Sequence, residues 1–336
     1  MQEAASSLAT APVIDVSDLR KWYPLKQGVV ATLLNRERHF LKAVDGVSFA
    51  LREGEVLGLA GESGCGKSTT GMTVLQLHPA SGGTVNFDGH DLVSLRHGSE
   101  MRAFRRNAQI VFQNPYESLN PRFTIEQSVS EPVAIHFPSN AADRRVRVIR
   151  ALEAAGLVPA ENFLHRYPHQ LSGGQLQRVA IARAISVEPR FLVADEPVSM
   201  LDVSIRAGIL NLLRHFATEL RMAILYISHD LSTMRHICTE VAIMYLGRIV
   251  EKGPAADVLD NPQHPYAQAL MAAAPVMGAR KRPRVELEGS LPNAMNVPTG
   301  CRFHPRCPRR MPVCVDVDPA LAETSAGRTV ACHLYH

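Results

Sequence analysis

The chain has 336 residues, 46% of them hydrophobic and 20% charged, with a formal net charge of +4 and a pI near 8.8. That length can bury a sizeable core and fits about two domains, while so mild a positive balance does not argue for nucleic acid as a partner. No uninterrupted apolar run nears the ~18 residues that cross a bilayer, and Met1-Gln2-Glu3 lacks the basic start and apolar stretch of a secretory leader, so a cytoplasmic protein is expected.

Residues 1–12 are rich in Ala and Ser without periodicity and are expected to be disordered. From residue 13, short alternating runs at 13–16 and 43–51, separated by a basic, loop-like insertion at 25–39, predict an antiparallel edge subdomain. Trp22 and Tyr23 lie in it. Judged by spacing, either could stack on an aromatic base or simply pack on the sheet. The apolar run at 56–60 predicts a buried strand, and it leads into Gly-Glu-Ser-Gly-Cys-Gly-Lys-Ser-Thr at 61–69. Glycines 61, 64 and 66 let successive N–H groups turn inward on a phosphate-sized anion. Lys67 adds a full positive charge, Ser68 offers a hydroxyl to Mg²⁺, and a helix starting here points its positive end at the same anion. This is a P-loop.

Ser81-Gly82-Gly83 then predicts a turn, 84–87 a strand and Asp88-Gly89 another turn. A second buried strand at 108–112 ends at Gln113, which opens a polar loop at 113–122 punctuated by Pro115 and Pro121; such loops at strand ends are where α/β folds place ligand contacts. Apolar spacing from 124 to about 157 is helical, with a charged face at 144–150. In Leu171-Ser172-Gly173-Gly174-Gln175, Ser172 can cap a helix over 176–185, and two glycines at its start expose N–H groups to an anion. The run 191–194 delivers Asp195 and Glu196 to a strand end stopped by Pro197: the first can hold Mg²⁺ through water, the second can polarise an attacking water. A further strand at 223–228 brings His229 to the same edge, in reach of a terminal phosphate.

Together these residues resemble the ATP-binding cassette (ABC) family over 13–265. Residues 61–69, with Gly61, Ser63, Gly64, Cys65, Gly66, Lys67, Ser68 and Thr69 facing ATP, resemble its Walker A motif, and Gln113 its Q-loop glutamine, a further Mg²⁺ contact. Ser172, Gly173, Gly174 and Gln175 resemble its signature motif, Asp195 and Glu196 its Walker B carboxylates, Asp202 the D-loop acid and His229 the switch histidine. Tyr23 sits where the family places its adenine-stacking aromatic. The resemblance implies an α/β P-loop NTPase fold, a RecA-like core with an antiparallel β subdomain and a helical subdomain at about 124–187. It implies two cassettes paired head to tail around ATP, with Glu196, His229 and Gln113 catalytic. Met200 replaces the smaller residue usual in the D-loop, and Leu176 stands where a basic residue is common.

A narrower resemblance follows. Residues 244–253, Asn261-Pro262-Gln263-His264-Pro265-Tyr266 and the 113–122 loop are similar to those of ATPase subunits of dipeptide and oligopeptide importers. That resemblance implies a second, related ATPase subunit, two transmembrane permeases, an extracytoplasmic substrate-binding protein, no nucleic acid, and a peripheral place on the cytoplasmic face of the inner membrane. Nickel importers share this architecture. A soluble ABC ATPase acting on nucleic acid is the rival from another class, but it usually carries two cassettes or a long coiled-coil insert. The extension at 266–336 begins with the basic Arg280-Lys281-Arg282 and carries Cys301, Cys307, Cys314 and Cys332, spaced too widely for a zinc ribbon. It resembles importer extensions of which some bind a [4Fe–4S] cluster through four such cysteines, with Zn²⁺ the alternative and an ATP-gated metal or redox sensor a third reading. Arg302, Arg306, Arg309 and Arg310 are expected to offset the charge of thiolate ligands.

Overall fold

The computed structural model describes residues 11–25, 40–94, 98–138, 140–273, 294–325 and 327–335. The expected disorder at 1–10, nearly all of the insertion at 25–39 and the basic Arg280-Lys281-Arg282 lie outside them. The strands, in sequence, are β1 (Ile14–Pro24), β2 (Phe40–Leu51), β3 (Val56–Ala60), β4 (Gly82–Phe87), β5 (His90–Asp91) and β6 (Ala108–Val111). They continue with β7 (Phe191–Asp195), β8 (Ala223–Ile227), β9 (Glu240–Tyr245), β10 (Arg248–Pro254), β11 (Ala322–Ser325) and β12 (Arg328–Val330).

Every residue of β3, β7 and β8 is buried, which is the pattern of strands covered on both faces. They form the centre of an eight-stranded sheet of order β11-β12-β10-β9-β3-β8-β7-β6. Pairing is parallel from β6 through β7, β8 and β3 to β9, so the carboxyl ends of these strands share one edge. β1, with its mixed burial and register shifts, pairs antiparallel with β2 and β4 in a separate four-stranded sheet, the expected edge subdomain.

The helical region holds helices Ile125–His136, Ala141–Ala154, Glu161–Leu164 and Gly173–Ile185. The apolar spacing at 124–157 is divided after His136, and the second helix starts from the Asn140 cap, whose side chain accepts the Asp143 N–H. Thr124 and Ser172 each close a capping box with a glutamine three residues on. Val129, Val148 and Leu152 are fully buried and share a core with Val179 and Ile181, which ties this region to the main sheet.

The extension is built onto the cassette's own sheet. β12 pairs antiparallel with β10, Glu251 opposite Val330, and β11 pairs with β12. Phe303 is 1% exposed and packs against Tyr245 and Tyr266 with ring centroids 5.3 and 5.5 Å away. The Glu251 carboxylate, fully buried, accepts the Arg328 guanidinium and the N–H groups of Gln263 and His264, the latter at 2.7 Å. Asp45 accepts Trp22 Nε1–H at 2.9 Å and pairs with Arg302.

His264 is 1% exposed, its Nδ1 accepts the Tyr266 N–H at 3.0 Å, and burial pushes its pKa down to about 3. An unfolded histidine takes up a proton below about pH 6.5, whereas the folded one stays neutral until far lower pH, so its contribution to stability is lost as pH falls through that window. The slope from this one group is on the order of 1.4 kcal/mol per pH unit. Urea melts of the wild type and of His264→Gln at pH 7 and pH 5 should therefore differ, with the variant losing less stability on acidification.

Candidate active site

Gly66 precedes the helix Lys67–Val74 with φ of 110°, and a Cβ there would lie 2.1 Å from the Ala43 carbonyl oxygen. At Gly61 the added carbon would lie 2.2 Å from the Met244 carbonyl oxygen. The loop thus runs too close to neighbouring backbone for any side chain at either place. Within it, the buried Lys67 ammonium donates to the carbonyls of Gly61 at 2.8 Å and Glu62 at 3.0 Å, and Cys65 is buried beneath. Ser68 Oγ donates to Asp195 Oδ1 at 3.0 Å. Burial pushes the Asp195 carboxyl up, Glu196 adds to this, and Ser68 and Lys67 oppose it. A hydroxyl and a buried carboxylate oxygen in contact are hard oxygen donors suited to Mg²⁺, which usually takes one or two protein oxygens beside substrate phosphates.

Glu196 carries the convergence. Its φ is +48°, an uncommon conformation for a side chain of this kind, fixed by its N–H donating to the Ile227 carbonyl at 2.9 Å and by Ser199 Oγ donating to its own carbonyl at 3.0 Å. The carboxylate accepts Gln113 Nε2–H at 3.1 Å on one oxygen and stands 2.9 Å from His229 Nδ1 on the other. Three residues that lie at the ends of β6, β7 and β8 are therefore in direct contact, as their strand-end positions imply. A carboxylate held on both oxygens, beside a phosphate cradle, can take a proton from an attacking water.

Tyr23 ends β1 beside the far end of the P-loop helix. Its hydroxyl lies 2.6 Å from His78 Nδ1, and the Lys21 ammonium sits 4.7 Å from its ring centroid. Ser172 Oγ accepts the Gln175 N–H at 3.3 Å, and Gln175 Oε1 accepts the Ser172 N–H at 3.1 Å. Ser172 and Gly173 are exposed, while a Cβ on Gly174 would meet Ile205 at 2.7 Å. Among the described residues no hydrogen bond or ion pair joins 172–175 to 61–69. Asp202 caps the helix Val203–Thr218 without a side-chain bond. The two departures have different settings: Leu176 is fully buried in the core, whereas Met200 is 61% exposed.

The four extension cysteines are free thiols. Burial pushes Cys301 up to about 11, with Cys314, Cys332 and Cys307 adding to the effect, and burial also raises Cys307 and Cys332. Neighbouring backbone N–H groups, those of Phe303, Arg309 and Leu334, work against this rise, and the Met311 N–H lies 3.5 Å from the sulfur of Cys314. The thiols thus influence one another, although among the described residues no group of three or more His, Cys, Asp or Glu is arranged to hold a metal ion. The expected charge partners need correction. Arg302 and Arg306 are buried and committed to Asp45 and Glu62, because an unpaired guanidinium inside the protein is costly; Arg309 is the one that acts on Cys307 and Cys332.

Sequence reasoning missed the partners of Glu62. The Arg306 guanidinium grips its carboxylate at 3.0 and 3.2 Å, and the Tyr266 hydroxyl accepts its N–H at 2.9 Å. A signal was available: a carboxylate inside a loop built for anions requires a cation somewhere in the fold.

Comparison with known proteins bears on these observations. A family profile described as "ABC transporter" matches residues 44–199, and one described as "Oligopeptide/dipeptide transporter, C-terminal region" matches 250–314. The chain is similar to the oligopeptide transport ATP-binding protein AppF of Bacillus subtilis, 44% identical over 326 residues that cover 96% of this chain and 97% of that one. It is likewise 44% identical to the dipeptide transport ATP-binding protein DppF of Escherichia coli over 96% of this chain and 94% of that one. Among solved structures it resembles the dimeric bacterial ABC transporter cassette MJ0796, with a TM-score of 0.62 and 28% identity, covering 72% of this chain and 98% of that one.

Ser172→Ala removes half of a capping box on an exposed helix end and should cost about 1 kcal/mol. Thermal melting should show the loss as a fall of a few degrees, with circular dichroism unchanged.

Proposed function

Since the chain belongs to the ABC family as an ATPase subunit of dipeptide and oligopeptide importers, we propose how its own residues perform the cycle. The observation that carries the reading is the Glu196 carboxylate, held between Gln113 and His229 beside the Ser68–Asp195 contact. The N–H groups of the P-loop, apart from that of Glu62, and the Lys67 ammonium bind the β- and γ-phosphates of ATP, and Tyr23 stacks on the adenine. Ser68, Asp195 and Gln113 would hold Mg²⁺, which when bound would neutralise charge on the phosphates. Glu196 accepts the proton of the water that attacks the γ-phosphorus, and His229 orients that carboxylate and contacts the terminal phosphate. Ser172, Gly173, Gly174 and Gln175, which among the described residues share no hydrogen bond with this chain's own P-loop, complete the site of a second cassette in a head-to-tail pair, with Asp202 and the exposed Met200 at the interface.

ATP bridging the pair closes it, and hydrolysis reopens it. Moving such a pair from 1:99 to 99:1 requires about 5.5 kcal/mol of differential binding, which two shared phosphate sites are placed to supply. The partner cassette is a second, related ATPase subunit, and the pair sits on the cytoplasmic face of the inner membrane beneath two permeases, which receive peptide from an extracytoplasmic binding protein. Among the described residues no helix is long and apolar enough to cross a membrane, which supports a peripheral attachment. We further propose that Cys301, Cys307, Cys314 and Cys332 hold a [4Fe–4S] cluster, with Zn²⁺ as the alternative ion. The mutual influence of the thiols and the Met311 N–H on the Cys314 sulfur support this, and the bound group would cross-link the extension's turns.

Glu196→Gln should retain ATP binding and lower turnover by about 10²- to 10⁴-fold, read by equilibrium binding and phosphate release on the assembled complex. Purification of the tagged chain from its native membrane in mild detergent should recover two multispanning proteins and a second ATPase. Metal analysis of the same sample should give about four irons per chain for the cluster and about one zinc for the alternative; neither metal at stoichiometric level overturns the cysteine assignment. A chain recovered alone overturns the assembly.

A further inference from the structure

Glu62 is the one acid in the P-loop, and both its side chain and its backbone are held by the extension. Arg306 reaches its carboxylate with two nitrogens, the fork geometry that gives carboxylate pairs their directionality, and the pair has side-chain exposures of 8% for Arg306 and 26% for Glu62. Tyr266, fully buried, accepts the Glu62 N–H, so that donor points into the protein and away from the loop's anion cradle. The Glu62 carbonyl in turn accepts Lys67 Nζ at 3.0 Å and the Cys65 N–H at 3.3 Å. The peptide plane before Glu62 is therefore held from the extension, by Tyr266, and the plane after it by the loop's own Lys67 and Cys65. Behind them, Tyr266 and Tyr245 lie with centroids 4.6 Å apart, and Phe303 closes the cluster against both, so the grip rests on a packed aromatic base.

We propose that Arg306 and Tyr266 are positioning residues for ATP binding: through Glu62 they set the shape of the P-loop and cancel the one negative charge it would otherwise present to the incoming phosphates. The physical need is direct. A carboxylate near a polyphosphate weakens binding unless a cation faces it, and a loop with three glycines has few side chains of its own to hold one conformation. Arg306 supplies the charge and Tyr266 the fixed acceptor. Arg306 precedes Cys307 and lies within the turn His304–Arg306, so the segment that carries the cysteines is also the segment that touches the phosphate loop.

The test is binding of the magnesium complex of a non-hydrolysable ATP analogue to the full-length chain, with nucleotide-free melting measured in parallel. Tyr266→Phe deletes one oxygen and keeps the ring; it should weaken binding about fivefold with the melting temperature held within about 2 °C. Arg306→Ala should weaken binding roughly tenfold or more, and Arg306→Lys, which keeps charge without the fork, should fall between it and wild type. The charge-reversed double variant Glu62→Arg with Arg306→Glu should recover affinity relative to either single reversal. Wild-type affinity in both Tyr266→Phe and Arg306→Lys overturns the proposal. So does an affinity loss that tracks a fall in melting temperature and is not relieved in the double variant.

Discussion

Parallel pairing of the central strands is the constraint on which the site depends. Because β6, β7, β8 and β3 run the same way, everything that follows their carboxyl ends meets at one edge, whatever its distance along the chain. Ser68 and Asp195 are separated by 127 residues and share a hydrogen bond; Gln113 and Glu196 are separated by 83 and do the same. Strand pairing is what makes these contacts short. The chemistry follows from where burial leaves each group: Asp195 is nearly inaccessible, and its buried carboxylate needs a proton or a cation to offset its charge, while the neighbouring Glu196 is held by two side chains.

A second constraint governs the extension. Among the described residues, beside the more exposed pair of Arg248 with Asp318, three ion pairs with buried arginines join it to the cassette, Glu251 with Arg328, Asp45 with Arg302 and Glu62 with Arg306, and in each of these three the acid belongs to the cassette and the arginine to the extension. The arginine side chains are 7–8% exposed in all three. Pairs of this kind add little net stability compared with apolar packing, but leaving one member without its partner costs about 3–5 kcal/mol, so they select a single docked arrangement over any other. With β12 added to β10 and Phe303 seated among tyrosines, the extension behaves as part of the ATPase fold, in contact with the sheet edge, the antiparallel subdomain and the phosphate loop at once.

The residues read most readily from sequence are those whose chemistry is fixed by their immediate neighbours. The P-loop needs glycines at set offsets because its backbone turns inside a few residues, and the Ser172 cap needs a glutamine three residues later because that is the reach of one helical turn. Buried five-residue runs marked β3, β7 and β8, and an acid or histidine at their ends marked the reactive edge. What sequence reading mistook was the arginines near the cysteines. Proximity along the chain suggested that they served the thiols, yet Arg302 and Arg306 turn away to Asp45, 257 residues distant, and Glu62, 244 residues distant.

Sequence by itself therefore determined the phosphate loop, the two strand-end carboxylates, the capped signature helix and the helical region around it, since each depends on backbone conformation or periodicity within a short window. Tertiary structure alone decided that Gln113 and His229 close on the same carboxylate and that Glu62 is answered by Arg306 and Tyr266. Those outcomes depend on which buried charge finds which partner, and a guanidinium meeting a carboxylate across more than two hundred residues leaves no period or spacing in the chain to announce it.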